Sequence, residues 1–505
     1  MKIVFVNPTT ALRRFPPYRA GGKVYGQPNS ITGPLILGGI LKKRGHDVSV
    51  YEELNGRLDE KDMLSADVVC LYTMTSTAPR AYELADMVHE RGKGRVIIGG
   101  MHASVLPEEA LEHADQVVTG EGEKIIADVI EGRISDRIVK AQPICDLDEV
   151  PFPDYSILKT PCVAANILTT RGCPFRCTFC TTSRMFAPYR KRSVENVIEE
   201  IRMYKSMGFR YMNFEDDNFT ADKERAKEIC RRIIAEKLQF KETFFFGRTD
   251  MAKDEELLEL LSKAHLTRVL IGIESLNQAS LDLVDKHQSI DDIEKAAAAC
   301  KKHGIRLIAS IVLGLDTDDS EDIHRTIAFA KSINAYQLQP AVLTPFPGTP
   351  VYEQYEREGR MLPIKWDNFD LMDVSFIPKH FTPWELQDEF YYAAIEFYDF
   401  KSIKAIREAF GAEYAMRRFG LAVLARLGSW GARFCSLHVP ASEYYYLRQH
   451  KFVPGESGEK ARVVSRRTAP EMPEKERVLL WVRGVTIVTA LIRLISRSRK
   501  KKTSF

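Results

Sequence analysis

Short apolar segments alternate with longer amphipathic stretches twice along this chain, and no other feature restricts its fold so much. Over residues 1 to about 140, Ile3–Val6, Val48–Tyr51, Val68–Tyr72, Val96–Ile98 and Gln116–Val118 read as strands. Strands alternating with helices form a parallel sheet covered on both faces, so an α/β, doubly wound, Rossmann-like domain is expected over 1–140. Gly33-Pro34-Leu35 opens an apolar helix that ends near Lys43, and Arg44-Gly45-His46 turns the chain into the next strand. Residues 141–161, which include Pro151-Phe152-Pro153-Asp154-Tyr155, are Pro-rich and poorly periodic and read as a linker.

A second series runs over 162–365, with strand candidates Ala165–Thr169, Tyr211–Phe214, Thr243–Phe246, Val269–Ile273, Leu307–Val312 and Gln337–Leu343. Consecutive β/α units of this kind favour a partial (β/α)6 TIM-like barrel, in which functional groups gather at the C-terminal ends of the strands. After Trp366 the strand rhythm stops, and 366–453 read as a helical C-terminal region. Residues 454–505 read as a loosely ordered polar linker, from Pro454 to Glu476, followed by a basic amphipathic tail. The apolar stretch Val478–Ile495 contains Arg483 and Arg493, so it falls short of a membrane span. With Arg497, Arg499, Lys500, Lys501 and Lys502 behind it, this stretch suits peripheral contact with anionic lipid, or else a helix packed on the barrel with a solvated end.

Composition removes several classes of function. Hydrophobic residues at 45% and charged residues at 28% fit neither a disordered chain nor a protein with many membrane spans. A net charge of +3 does not advertise a polyanionic partner, and no aromatic platform is interleaved with the basic residues, so no nucleic acid is expected. Met1-Lys2 runs straight into an apolar strand without a secretory signal pattern, which suggests a cytoplasmic protein. Of nine cysteines, Cys70, Cys145, Cys162, Cys230, Cys300 and Cys435 are scattered while the other three are close together. That distribution argues against a disulfide framework and for one local metal site.

The three lie in Thr169-Thr170-Arg171-Gly172-Cys173-Pro174-Phe175-Arg176-Cys177-Thr178-Phe179-Cys180, after an apolar strand and before a helix. A loop with Cys-x3-Cys-x2-Cys spacing can aim three thiolates at one iron–sulfur cluster. Structural zinc is the rival and would require a fourth Cys or His from elsewhere; unligated structural thiols are the other reading.

Cys173, Cys177 and Cys180, with Phe179 before the last, resemble the signature of the radical S-adenosylmethionine superfamily. The resemblance implies a 4Fe-4S cluster with one open iron that chelates S-adenosylmethionine and cleaves it reductively. It extends over residues 163 to 350. It implies that Asp216 and Asp217 lie near the S-adenosylmethionine amino group, that Arg248 pairs with a carboxylate, and that Glu274 and Ser275 approach the ribose or methionine part. Otherwise, Asp216 and Asp217 would cap the following helix and Arg248 and Glu274 would pair across the barrel rim. Ile311-Val312-Leu313-Gly314-Leu315 and Thr344-Pro345-Phe346-Pro347-Gly348-Thr349-Pro350 complete the pattern of one subgroup.

That subgroup carries an N-terminal cobalamin (B12)-binding domain, which residues 1–140 resemble through Gly45-His46-Asp47-Val48, Gly99-Gly100-Met101-His102 and Gly120-Glu121-Gly122-Glu123. The resemblance implies corrin contacts from Gly99, Gly100, His102, Gly120 and Glu121, the glycines allowing close approach of a bulky ligand. The Asp-x-His-x-x-Gly signature that supplies a lower histidine ligand is missing. By this resemblance the chain is an enzyme that methylates an unactivated carbon of a small-molecule, lipid-like substrate, fed by an electron donor such as flavodoxin or ferredoxin. The alternatives are radical cyclisation of a hydrophobic substrate, as in anaerobic magnesium-protoporphyrin ester cyclases, and a non-catalytic cobalamin or iron–sulfur sensor.

Overall fold

The computed structural model describes residues 1–10, 28–438, 447–448 and 450–466. The first sheet comprises β1 (Lys2–Asn7), β2 (Asp47–Glu52), β3 (Val68–Tyr72), β4 (Arg95–Gly99), β5 (Gln116–Thr119) and β6 (Ile138–Lys140). All pair in parallel in the order β2-β1-β3-β4-β5-β6. Strand β6, too short to stand out as an apolar run, extends the doubly wound sheet by one strand. Val4, Val6, Val69, Leu71, Val96 and Ile98 bury one face, and Ile3, Phe5, Val48, Cys70 and Ile97 bury the other. Two buried faces explain why these strands are continuously apolar rather than alternating.

The linker is not free of the domains it joins. Lys159 N–H donates to Val50 O at 2.9 Å, and the hydroxyl of Thr160 lies 3.2 Å from Glu52 N, so residues 158–160 run along the outer edge of β2.

The second sheet contains β7 (Ala164–Ile167), β10 (Tyr211–Phe214), β11 (Glu242–Gly247), β12 (Leu266–Glu274), β13 (Arg306–Leu313) and β14 (Gln337–Val342). Its six strands are parallel, in the order β14-β13-β12-β11-β10-β7. Between β7 and β10, β8 (Thr170–Arg171) and β9 (Arg190–Lys191) form a two-residue antiparallel ribbon. Five covering helices start at acceptor side chains that hold an N–H of the first turn: Ser193, Asp222, Asp254, Ser289 and Asp319, at 3.0–3.2 Å. A short polar residue at the point where the apolar period begins satisfies an otherwise orphaned amide.

The sheet is an open partial barrel whose two edges are covered by other parts of the chain, as unpaired edges must be. At the β7 edge, Ala164 N–H donates to Pro28 O at 3.2 Å and Asn166 Nδ2 to Ser30 O at 3.1 Å. At the β14 edge the Tyr398 hydroxyl bonds Leu338 N and O at 3.1 and 2.8 Å. Tyr398 follows helix Pro383–Phe397, the first of a helical C-terminal group with Ser402–Phe410 and Ala412–His438.

The expected loose stretch beginning at Pro454 is corrected in its first part. His450–Val453 and Arg462–Arg466 pair as an antiparallel hairpin, and Gly455 N–H donates to Gly359 O at 2.8 Å. The apolar stretch from Val478 and the basic tail lie outside the described residues. No helix among the described residues is long and apolar enough to cross a membrane.

Candidate metal centre and its surroundings

The cysteine loop leaves the barrel mouth between β8 and β9. Gly172 has φ +78°, and a Cβ there would stand 2.6 Å from Phe186 O, so only glycine lets the loop close on itself. Within the loop, Cys180 N–H donates to Cys177 O at 3.1 Å, and Thr178 N–H reaches Val284 O at 3.2 Å on the segment after β12. Cys177 is buried, Cys173 and Cys180 are half-buried, and all eight described cysteines are free.

Burial pushes the Cys173 thiol up to about 11 and raises that of Cys177; the charges of Lys286 and Arg248 act in the opposite sense on Cys177. Metal ligation requires thiolates, and these two cations favour them. Among the described residues no three His, Cys, Asp or Glu side chains converge on a single ion position. A cubane spreads its ligands over separate irons, so three thiols in one loop beside two cations fit an iron–sulfur cluster.

The two aspartates after β10 are placed quite differently. Asp216 is buried and accepts from Thr169 N–H and the Thr169 hydroxyl, both at 3.0 Å, and from the Thr170 hydroxyl. It anchors the strand that leads into the cysteine loop, and its other oxygen has no partner among the described residues. Asp217 has an exposed side chain but is surrounded by enough protein that burial raises its carboxyl to about 6 against a hydrogen bond from Thr182. Its charge also raises the Cys173 thiol, so Asp217 is the member of the pair that faces the loop.

Arg248 lies with its guanidinium carbon 3.8 Å above the Phe175 ring and donates to the Lys286 carbonyl. The register of β12 against β13 shifts between Gly272 and Glu274, and Glu274 takes φ +61°; such a bulge re-aims a side chain, here into a buried ion pair with Lys286. Lys286, in a loop without a recognisable motif, was not singled out by the sequence. Ser275 is turned inward: its hydroxyl donates to Asp318 at 2.9 Å and accepts from Asn277 N–H at 3.0 Å, so it braces the turn after β12.

Inside the barrel, Met212, Phe214 and Phe245 belong to the core under the helices, so by strand alternation Asn213, Glu215, Phe244 and Phe246 face the interior. The rings of Phe244 and Phe246 meet edge to face at 4.9 Å. Burial raises the Glu215 carboxyl to about 7, with the neighbouring Asp216 adding to the effect and Arg268 opposing it.

On the first sheet, the expected glycines serve backbone contacts. Gly100 has φ +108°, and a Cβ there would stand 2.6 Å from Thr73 O; Gly120 has φ +79°, and a Cβ would stand 2.7 Å from Ala141 O. A Cβ on Gly99 would lie 3.3 Å from Val118 O. These residues let neighbouring strand ends approach one another. His102 is buried, with Nε2 3.1 Å from Glu109 and Nδ1 3.4 Å from the Thr75 hydroxyl. Glu109 also accepts from Trp366 Nε1 at 3.1 Å, so His102 belongs to a packed interdomain network rather than to an open face. Met74 is exposed at this C-terminal edge of the sheet, the side on which open α/β sheets bind ligands.

Glu121 and Glu123 are committed to the barrel. Glu121 accepts from Arg171 at 2.8 Å and from Arg190 at 2.9 Å, and Glu123 pairs with Arg171. The arginines were not foreseen: only the fold shows that a Gly-Glu-Gly-Glu turn meets the base of the cysteine loop.

The radical SAM superfamily profile matches residues 167–330 and the B12-binding domain profile matches residues 23–130. An uncharacterised methyltransferase of Pyrococcus horikoshii is 29% identical, over 79% of this chain and 92% of that protein. The bacteriochlorophyllide d C-12(1)-methyltransferase of Chlorobaculum tepidum is 27% identical, over 76% and 83%. The anaerobic magnesium-protoporphyrin IX monomethyl ester cyclase of Cereibacter sphaeroides is 25% identical, over 77% and 69%. Among solved structures, the cobalamin-dependent S-adenosylmethionine radical enzyme OxsB with aqua-cobalamin bound shares the fold at a TM-score of 0.63 and 16% identity, over 99% of this chain and 81% of that one. The cofactors that accompany the two matched domains are a 4Fe-4S cluster, S-adenosylmethionine and cobalamin, and enzymes of this class take a small-molecule substrate and a reductant.

Proposed function

Because the chain belongs to the radical S-adenosylmethionine superfamily and carries a B12-binding domain against its barrel, we propose that it methylates an unactivated carbon of an apolar small molecule. The observation that carries this reading is the juxtaposition of the two domains: the cysteine loop opens at the barrel mouth while its base is gripped by the turn after β5 of the B12-binding domain. When bound, the cluster supplies the electron that cleaves S-adenosylmethionine to a deoxyadenosyl radical, and cobalamin carries the methyl group.

In this reading Cys173, Cys177 and Cys180 hold the cluster. Asp217, the exposed aspartate beside the loop, accepts from the amino group of S-adenosylmethionine. Arg248, held on Phe175, offers its planar donor edge to the carboxylate, and Glu274 approaches the ribose. Asp216 and Ser275 support these residues from beneath. Gly99, Gly100 and Gly120 shape the strand-end turns that would border a bound cobalamin, and the exposed Met74 would offer it an apolar contact. Phe244 and Phe246 support a lipid- or tetrapyrrole-like substrate body within the barrel. The reductant is a flavodoxin or ferredoxin, the protein works in the cytoplasm, and the basic tail brings it to anionic membrane lipid.

Anaerobic reconstitution with iron, sulfide and cobalamin, followed by mass spectrometry of deoxyadenosine and S-adenosylhomocysteine, tests the reading. Methylation predicts both products, because one S-adenosylmethionine yields deoxyadenosine and methionine while a second yields its methyl group. Similarity to the cyclase favours a second reading, oxidative ring closure, which predicts deoxyadenosine without S-adenosylhomocysteine. Neither product from protein that contains a cluster refutes both and leaves a sensor.

A further inference from the structure

Within its own domain, the base of the cysteine loop is anchored at Thr169 and Thr170 by Asp216. Strands β8 and β9 contribute two residues each, and an isolated two-stranded ribbon is marginal even at greater length. Their register places Arg171 directly opposite Arg190, and like charges facing each other across a ribbon are destabilising. Both guanidiniums are largely buried.

A carboxylate from the other domain resolves this conflict. Oε2 of Glu121 accepts from Arg171 at 2.8 Å, from Arg190 at 2.9 Å and from Ile144 N–H at 2.9 Å, while Oε1 accepts from the second Arg190 nitrogen. Arg190 also donates to Ile144 O at 2.6 Å, Pro188 O at 3.1 Å and Phe186 O at 3.3 Å, which ties it to both the linker and the returning limb of the loop. Glu123 takes the remaining edge of Arg171. Burial alone would raise the Glu121 carboxyl; the bonds from Arg190 and Ile144 N–H and the two arginine charges outweigh it and hold the group below its usual range. Glu121 lies in the stretch matched to the B12-binding domain, and the arginines lie in the stretch matched to the radical SAM domain.

We propose that Glu121, assisted by Glu123, is a positioning residue for the cysteine loop, and that docking of the B12-binding domain through this carboxylate sets the geometry in which the loop holds its cluster. The inference rests on reading Cys173, Cys177 and Cys180 as cluster ligands, yet its main readout does not require turnover. Two domains each holding a cofactor are thereby joined at one buried charge, so a displacement of the turn after β5 is felt two residues before Cys173.

The test uses the full chain, reconstituted anaerobically, as wild type and as Glu121→Gln, which keeps the shape and removes the charge. Amide hydrogen exchange over residues 171–190 is expected to quicken by roughly tenfold or more in the variant, while exchange in β10 to β13 stays unchanged. The electron paramagnetic resonance spectrum of the reduced cluster is expected to change its g values at undiminished iron content, because the three thiols remain. Unchanged exchange and an unchanged spectrum overturn the proposal, as does a uniform quickening across both sheets, which marks general destabilisation. If Glu121→Gln does not accumulate, Glu121→Asp, which keeps the charge but stops one methylene short, is judged by the same outcomes. Wild-type protein that forms no deoxyadenosine would sink the enzymatic reading while the exchange comparison still decides on the hub.

Discussion

Replacing Glu215 with glutamine is expected to stabilise the barrel, and only above mildly acidic pH. Glu215 directly follows β10 on the side of the barrel interior, where burial raises its carboxyl from 4.5 to about 7. In the unfolded chain the group ionises near 4.5; in the folded protein it keeps its proton until about 7. Stability contributed by the neutral form is therefore complete below 4.5, declines as pH rises through about 7, and is absent above it. A displacement of that size corresponds to about 3 kcal/mol between the charged and neutral forms, and partial solvent access reduces the usable part to about 1–2 kcal/mol. Glutamine has nearly the same shape and no charge to lose. Urea unfolding at pH 8.5 should show Glu215→Gln more stable than wild type by that amount, with less than half the gain at pH 5.5. A gain of equal size at both pH values, or a loss at pH 8.5, would refute the reasoning.

Cys177→Ala removes one thiolate and is expected to abolish deoxyadenosine formation; wild-type yield by mass spectrometry would remove Cys177 from the ligand set. The two aspartates should separate by assay. Asp216→Ala strands the buried Thr169 N–H and should cost about 2–3 kcal/mol in denaturation, whereas Asp217→Asn should cost no stability at neutral pH and weaken S-adenosylmethionine binding by roughly tenfold, read by equilibrium dialysis. Equal stability losses in both would contradict the assignment of Asp216 alone to the anchor of the loop. Gly100→Ala forces a side chain into positive φ and against Thr73 O, at a cost of about 2–3 kcal/mol, measurable as a lowered urea midpoint of the B12-binding domain.

The sequence by itself determined the parts whose physics is local. Strands buried on both faces must be apolar along their length, so the runs from Ile3 and Val68 in one domain and from Thr243 and Leu307 in the other announced two parallel sheets. Three thiols within eight residues announced a metal site because their spacing alone brings them together. Strands β6, β8 and β9 escaped notice because two or three residues cannot display a period, and they exist only through their neighbours. Tertiary structure decided which members of each motif do what. Asp216 and Asp217 are adjacent and alike, yet the turn after β10 buries one under Thr169 and Thr170 and exposes the other. His102 lies buried, with Glu109 and Thr75 beside its two nitrogens, a pairing that only the fold reveals. Glu121 lies 50 residues before Arg171 in the chain, and no local pattern pairs them. Their contact arises because the tertiary fold brings the turn after β5 against the base of the cysteine loop, where two buried arginines pair with its carboxylates.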